Sequence, residues 1–153
     1  MLSPIVILVD ADACPVIREA IAAARARHLR IVLVGNQSQN LARFAGRSGI
    51  EVLSVASGPD AADFTIVPLL TAQDIVITAD IGLAAMVLGR GARAVSPRGH
   101  HYQPATIDAE MALRHAEKRH RRAGGRTQGP PPFGEEDREH FRSALEQLLS
   151  ERV

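Results

Sequence analysis

Between Ile5 and Val95 the sequence repeatedly places a short β-branched apolar run before a stretch of helical periodicity, and few architectures accept that pattern. The apolar runs are Ile5 to Val9, Ile31 to Val34, Ile50 to Val55, Asp74 to Thr78 and Ala92 to Val95. Between them, helices are predicted from about 15 to 28, with Pro15 in the first turn, from Gln39 to Ala45, from Pro59 to about Leu70, and from Ile81 to about Leu88. A strand that is apolar along its whole length is covered on both faces, which requires a parallel sheet with helices above and below. The expected fold is therefore α/β: three layers, αβα, around a mostly parallel sheet of four to five strands with right-handed crossovers.

After Pro97 the character changes. A loop with Arg98, His100 and His101 leads into a predicted helix from Thr106 to Arg122, which carries Arg114, Lys118, Arg119, Arg121 and Arg122. Residues 123–134, with Gly124, Gly125, Gly129 and Pro130 to Pro132, form a connecting segment. Residues 135–150 read as a C-terminal helix with Phe141, Ala144, Leu145 and Leu148 on one face. At 153 residues the whole chain, 1–153, is expected to be one domain. The single cysteine, Cys14, cannot form an internal disulfide, and no apolar run reaches the length of about 20 residues that a membrane span needs. A cytoplasmic, membrane-free protein is the expectation. With no Trp and one Tyr, base stacking on an aromatic sheet is disfavoured, whereas the basic run from Arg114 to Arg126 can dock phosphates.

The carboxylates carry the chemistry. Asp10 and Asp12 follow the first strand, Asp60 and Asp63 stand three apart at the start of the third helix, and Asp80 follows the fourth strand. In an open parallel sheet the ligand crevice lies beyond the C-terminal strand ends, where strand order reverses. Aspartate also caps helices, and Asp60 near a helix start gains from the dipole in any case. Gathering several carboxylates without cations raises their pKa values and repels, so a positive partner is expected: Mg2+ or Mn2+, which prefer oxygen donors and can activate water at a phosphodiester. Asn36 and Ser38 after the second strand and Arg98 after the fifth are candidate phosphate contacts, with Arg119 and Arg122 following the backbone of RNA or another nucleic acid. Cys14 lacks the arginine that a Cys-x5-Arg phosphatase loop would place at position 20, which is Ala20, and the histidines do not fall at zinc spacings.

Five segments in order, Val9-Asp10-Ala11-Asp12-Ala13-Cys14-Pro15, Gly58-Pro59-Asp60-Ala61-Ala62-Asp63, Ile75 to Asp80, Pro97-Arg98-Gly99 and Gly129 to Phe133, closely resemble the YaiI/YqxD family of bacterial proteins over almost the whole chain. That family is similar to PIN-like domains, metal-dependent ribonucleases with acidic residues at the ends of a parallel sheet. The resemblance implies that Asp10 matches the acidic residue after the first PIN strand, Thr78 with Asp80 a later Thr-x-Asp motif, and Asp60 or Asp63 the acidic helix position. Asp12 and Cys14 belong to the YaiI/YqxD pattern and not to PIN domains at large, so no role carries over to them.

Three functions compete on these residues. The first is a nuclease in which Asp10, Asp60, Asp63 and Asp80 hold metal, Asp10, Asp12 and Asp80 serve catalysis, and Asp12 orients water. The second is a non-catalytic nucleic-acid-binding module that retains the pocket as a structural metal site. The third is a haloacid-dehalogenase-like phosphatase with Asp10 as nucleophile and Asp12 as general acid, whose usual lysine would have to be Lys118.

Overall fold

The computed structural model describes residues 5–36, 41–55 and 60–151. Five parallel strands, β1 (Val6–Asp10), β2 (Arg30–Asn36), β3 (Ile50–Val55), β4 (Ile75–Ile77) and β5 (Arg93–Val95), form one sheet in the order β3-β2-β1-β4-β5. The expected three-layer αβα arrangement is observed. Side chains alternate along each strand, and the alternation divides the core in two. Ile7, Val9, Ile31, Leu33, Ile75 and Ile77 point to one face, beneath α1 (Ile17–Ala26) and α5 (Glu135–Ser150). Leu8, Val32, Val34, Val76 and Ala94 point to the other, beneath α2 (Ala61–Leu69), α3 (Ile81–Gly89) and α4 (Ile107–Arg122).

Chain order along the sheet reverses between β1 and β4, which pair through Ile7 with Ile75, Leu8 with Val76 and Val9 with Ile77. Asp10 and Thr78 are the next residues on these two strands, so the switch point opens directly onto them. At the opposite end of the same strands, the buried Asp74 accepts the backbone N–H groups of Val6 at 3.1 Å and Thr71 at 2.9 Å. That carboxylate is consumed in joining β4 to β1.

One predicted helix is shorter and tighter than expected. Of the stretch from Gln39 to Ala45, Gln39 and Asn40 lie outside the described residues, and the remainder contains a single 3-10 turn, Ala42–Phe44. Three helical residues cannot repay helix nucleation, and Gly46 and Gly49, both at positive φ, turn the chain into β3. The start predicted at Pro59 likewise lies outside the described residues, and α2 begins at Ala61.

α5 closes the fold beside the strand ends. Its apolar stripe, Phe141, Leu145, Leu148 and Leu149, is buried, as the periodicity required. Polar ties then hold the preceding segment and first turn against the site loops: Arg138 donates to the Pro15 carbonyl at 2.7 Å and pairs with Glu19 at 2.8 Å, and Arg98 donates to the Pro131 carbonyl at 2.7 Å. Gly99 is the point of closest approach. It has φ +88°, and a Cβ there would lie 2.7 Å from both the carbonyl carbon and oxygen of His140. Gly99→Ala is therefore expected to destabilise the protein by about 2–4 kcal/mol, through backbone strain and displacement of α5. Urea denaturation checks this, and a loss below about 0.5 kcal/mol would show that α5 docks without that contact.

Candidate metal centre

Two helix N-termini meet beyond the switch point. Asp80 is the N-cap of α3, where its Oδ1 accepts the N–H groups of Gly82 at 2.8 Å and Leu83 at 3.2 Å. Asp60 is the N-cap of α2 but makes no side-chain cap; it is held in the left-handed region at φ 64°. Aspartate tolerates that region better than most residues, and the cap expected of Asp60 is not formed. Asp63, in the first turn of α2, is buried. Asp60, Asp63 and Asp80 each offer a carboxylate oxygen, and these oxygens all lie within 4.8 Å of one another.

Among the described residues nothing cationic offsets the trio: no ion pair there involves Asp10, Asp12, Asp60, Asp63 or Asp80. Burial, and then repulsion from Asp80, Asp60 and Asp10, pushes the Asp63 carboxyl up from 3.8 to about 6. Asp10 is raised as well, chiefly by burial and further by Asp12 and Asp80, against the lowering effect of its bond from Thr78. The two helix dipoles aimed at the cluster favour the anions but do not cancel these effects.

Asp10 stands beside the trio. Its Oδ2 accepts the Thr78 hydroxyl at 2.8 Å, and the same hydroxyl accepts the Asp80 N–H at 3.0 Å. Thr78 is fully buried, so it positions Asp10 and Asp80 and does not offer its hydroxyl to a substrate, as its assignment to substrate binding required. Asp12 is not one of the trio: the strand ends at Asp10, Ala13 takes φ 56°, and Asp12 Oδ1 accepts the Asn36 backbone N–H at 3.1 Å. Asn36 thus reaches the site through its backbone, while Ser38 lies outside the described residues.

The predicted phosphate clamp Arg98 spends its guanidinium on the Pro131 carbonyl and on Asp137 at 3.3 Å, because the connecting segment folds over it. Arg119 and Arg122 are exposed on α4. Arg98 and Arg114 both line a cleft beside Ala79, and of the two it is Arg114, about 7.5 Å before Arg119 along the helix axis, that enters no ion pair among the described residues. It belongs to the basic run of the sequence, but only the packing of α4 distinguishes it from its neighbours. Cys14 is half-buried, and burial pushes its thiol up to about 11, which makes it a poor nucleophile.

The sequence profile described as "Uncharacterized BCR, YaiI/YqxD family" matches residues 8–151. A UPF0178 protein of Dechloromonas aromatica is 42% identical over 146 residues, 94% of this chain and 95% of its own. Similar proteins of the same name occur in Acidithiobacillus ferrooxidans, 44% identical over 145 residues (94% and 97%), and Staphylococcus haemolyticus, 32% identical over 145 residues (95% and 97%).

The raised Asp63 fixes a pH dependence for the metal-free protein. The folded state keeps the Asp63 proton up to about pH 6, whereas an unfolded chain releases it near 3.8, so stability falls as pH rises through that window. Asp63→Asn removes the penalty: the variant is expected to exceed the wild type by on the order of 1–2 kcal/mol above pH 6, with the gap closing toward pH 4. Denaturant titrations at both ends of the window test this, and an equal gap at both would remove Asp63 as its source.

Proposed function

The chain belongs to the YaiI/YqxD family, and from the carboxylates at its switch point we propose that it is a divalent-metal-dependent nuclease that hydrolyses phosphodiester bonds, with RNA as the expected substrate. The observation that carries this reading is the trio Asp60, Asp63 and Asp80, with oxygens within 4.8 Å, one member buried, and no ion pair among the described residues. An all-oxygen donor set of this kind fits Mg2+ or Mn2+ and not a soft metal. Asp60, Asp63 and Asp80 would hold the ion, which when bound neutralises charge on the phosphate and acidifies water.

The remaining roles fall to groups at the rim. Asp10 has one oxygen fixed by Thr78, so its carboxylate is oriented to take a proton from an attacking water through the other oxygen, and its raised pKa suits a base. Asp12 acts on Asp10 through its charge, while its Oδ1 is tied to Asn36. The exposed cations of α4, including Arg119 and Arg122, supply sequence-independent attraction for a phosphate backbone. A phosphatase of the haloacid-dehalogenase type is less well served, since its general acid would be the tied Asp12 and its lysine Lys118 on α4.

Calorimetric titration of Mn2+ into the metal-free protein, followed by incubation with single-stranded RNA, tests the reading. Saturable binding is expected, weakening as pH drops below about 6 because a proton on Asp63 competes with the ion. Cleavage is expected to fall about a hundredfold or more in Asp63→Asn and in Asp10→Asn. Cleavage unchanged in both variants, or no saturable binding, overturns it. Binding lost in Asp63→Asn with no cleavage of RNA or DNA leaves the nucleic-acid-binding module in its place.

A further inference from the structure

Next to the carboxylates, and opposite to them in charge, lies a cleft of about 480 Å³. Ala79, directly before Asp80, and Ala13, directly after Asp12, line it on the strand side. Pro97, Pro130 and Phe133 give it apolar walls, Ser96, Arg98 and His100 line it as well, and Arg114 enters from α4. Tyr102, also in the lining, donates its hydroxyl to the Thr78 carbonyl at 3.2 Å, so the cleft is anchored to the residue that holds Asp10.

The cations around this cleft are not equivalent. Arg98 is paired with Asp137 and bonded to Pro131. His100 lies 2.8 Å from Glu110, and its ring packs edge-on against Tyr102. Arg114 enters no ion pair among the described residues and is exposed. Arg98 and His100 line the cleft with their charges already engaged, so Arg114 is the cation left to attract an anion, and the walls of Pro97, Pro130 and Phe133 favour one that also carries apolar surface. Small-molecule sites typically span about 300–1,000 Å³, so the cleft is suited to something much larger than a bare phosphate.

We propose that this cleft seats one nucleoside monophosphate unit, with its phosphate on Arg114 and its base and sugar against Pro97, Pro130 and Phe133. The assignment deepens the nuclease reading and rests on it for its role: a single-stranded substrate would place one nucleotide here, next to the carboxylates. A duplex cannot insert a paired nucleotide between such walls without unpairing it, so single strands are the substrate class the cleft selects.

The test needs neither metal nor turnover. Adenosine 5′-monophosphate is titrated calorimetrically into the metal-free full chain at neutral pH, alongside inorganic phosphate. Expected are saturable binding, a loss of about tenfold or more in Arg114→Gln, little change in Asp63→Asn, and phosphate weaker than the nucleotide by about tenfold or more. Arg114 is exposed on a helix, so its variant retains the fold, which an unchanged Tm verifies. No saturable nucleotide binding, binding indifferent to Arg114→Gln, or phosphate binding as tightly as the nucleotide overturns the proposal. Nucleotide binding of the expected kind without Mn2+-dependent cleavage keeps the cleft and removes the nuclease; cleavage without nucleotide binding does the reverse.

Discussion

Four hydrogen bonds converge on Thr78, and the site is organised around them. Its N–H donates to the Val95 carbonyl at 3.0 Å, which carries β4 one residue further along β5. Its carbonyl accepts the Tyr102 hydroxyl, and its own hydroxyl donates to Asp10 and accepts the Asp80 N–H. In a fully buried position every one of these polar groups must be matched, so the residue leaves little freedom in how strand, cleft and carboxylates are placed relative to one another. Valine, with the same shape, would keep the packing and leave the Asp80 N–H and the Asp10 carboxylate each short of a partner.

Two buried carboxylates, Asp74 before β4 and Asp63 in the first turn of α2, show how environment assigns a role. Asp74 is buried and receives two backbone N–H groups, so its charge is satisfied by the fold. Asp63 is buried too, but three other carboxylates lie within electrostatic reach and its pKa rises to about 6. Both helices that meet there direct their N-termini at the cluster, which lowers the cost of holding it but does not remove it. A fold that needed only helix caps would not have required Asp60 in the left-handed region with no cap to show for it.

Much of this architecture was legible in the sequence for a simple reason: strands covered on both faces must be apolar throughout, and the runs around Ile7, Leu33, Val52, Val76 and Ala94 all became strands of one sheet. The strand order was not, since periodicity is blind to which strands pair; the reversal between β1 and β4 arises from packing. In the same way the sequence pointed to five carboxylates but not to the three whose oxygens approach within 4.8 Å. The choice turned on the backbone: a positive φ at Asp60 and the bond from Asn36 to Asp12. Arg98 lines the cleft together with Arg114, but the Pro-rich segment and Asp137 claim its guanidinium, a tertiary engagement that periodicity does not reveal.

Opposite charges side by side also set an order of events for the proposed reaction. A phosphate approaching the trio alone meets Asp60, Asp63 and Asp80 with no ion-paired cation among them, and at the short distances involved that repulsion exceeds the attraction a single exposed guanidinium provides in water. In the proposed reaction the ion would therefore have to arrive no later than the scissile phosphate. The cleft with Arg114 does not face that barrier to the same degree, since its lining contains no carboxylate. A strand can then be held by one nucleotide at Arg114 while its neighbour waits on the metal, so substrate binding and catalytic competence are separable, and lowering the pH through about 6 would silence the second while leaving the first.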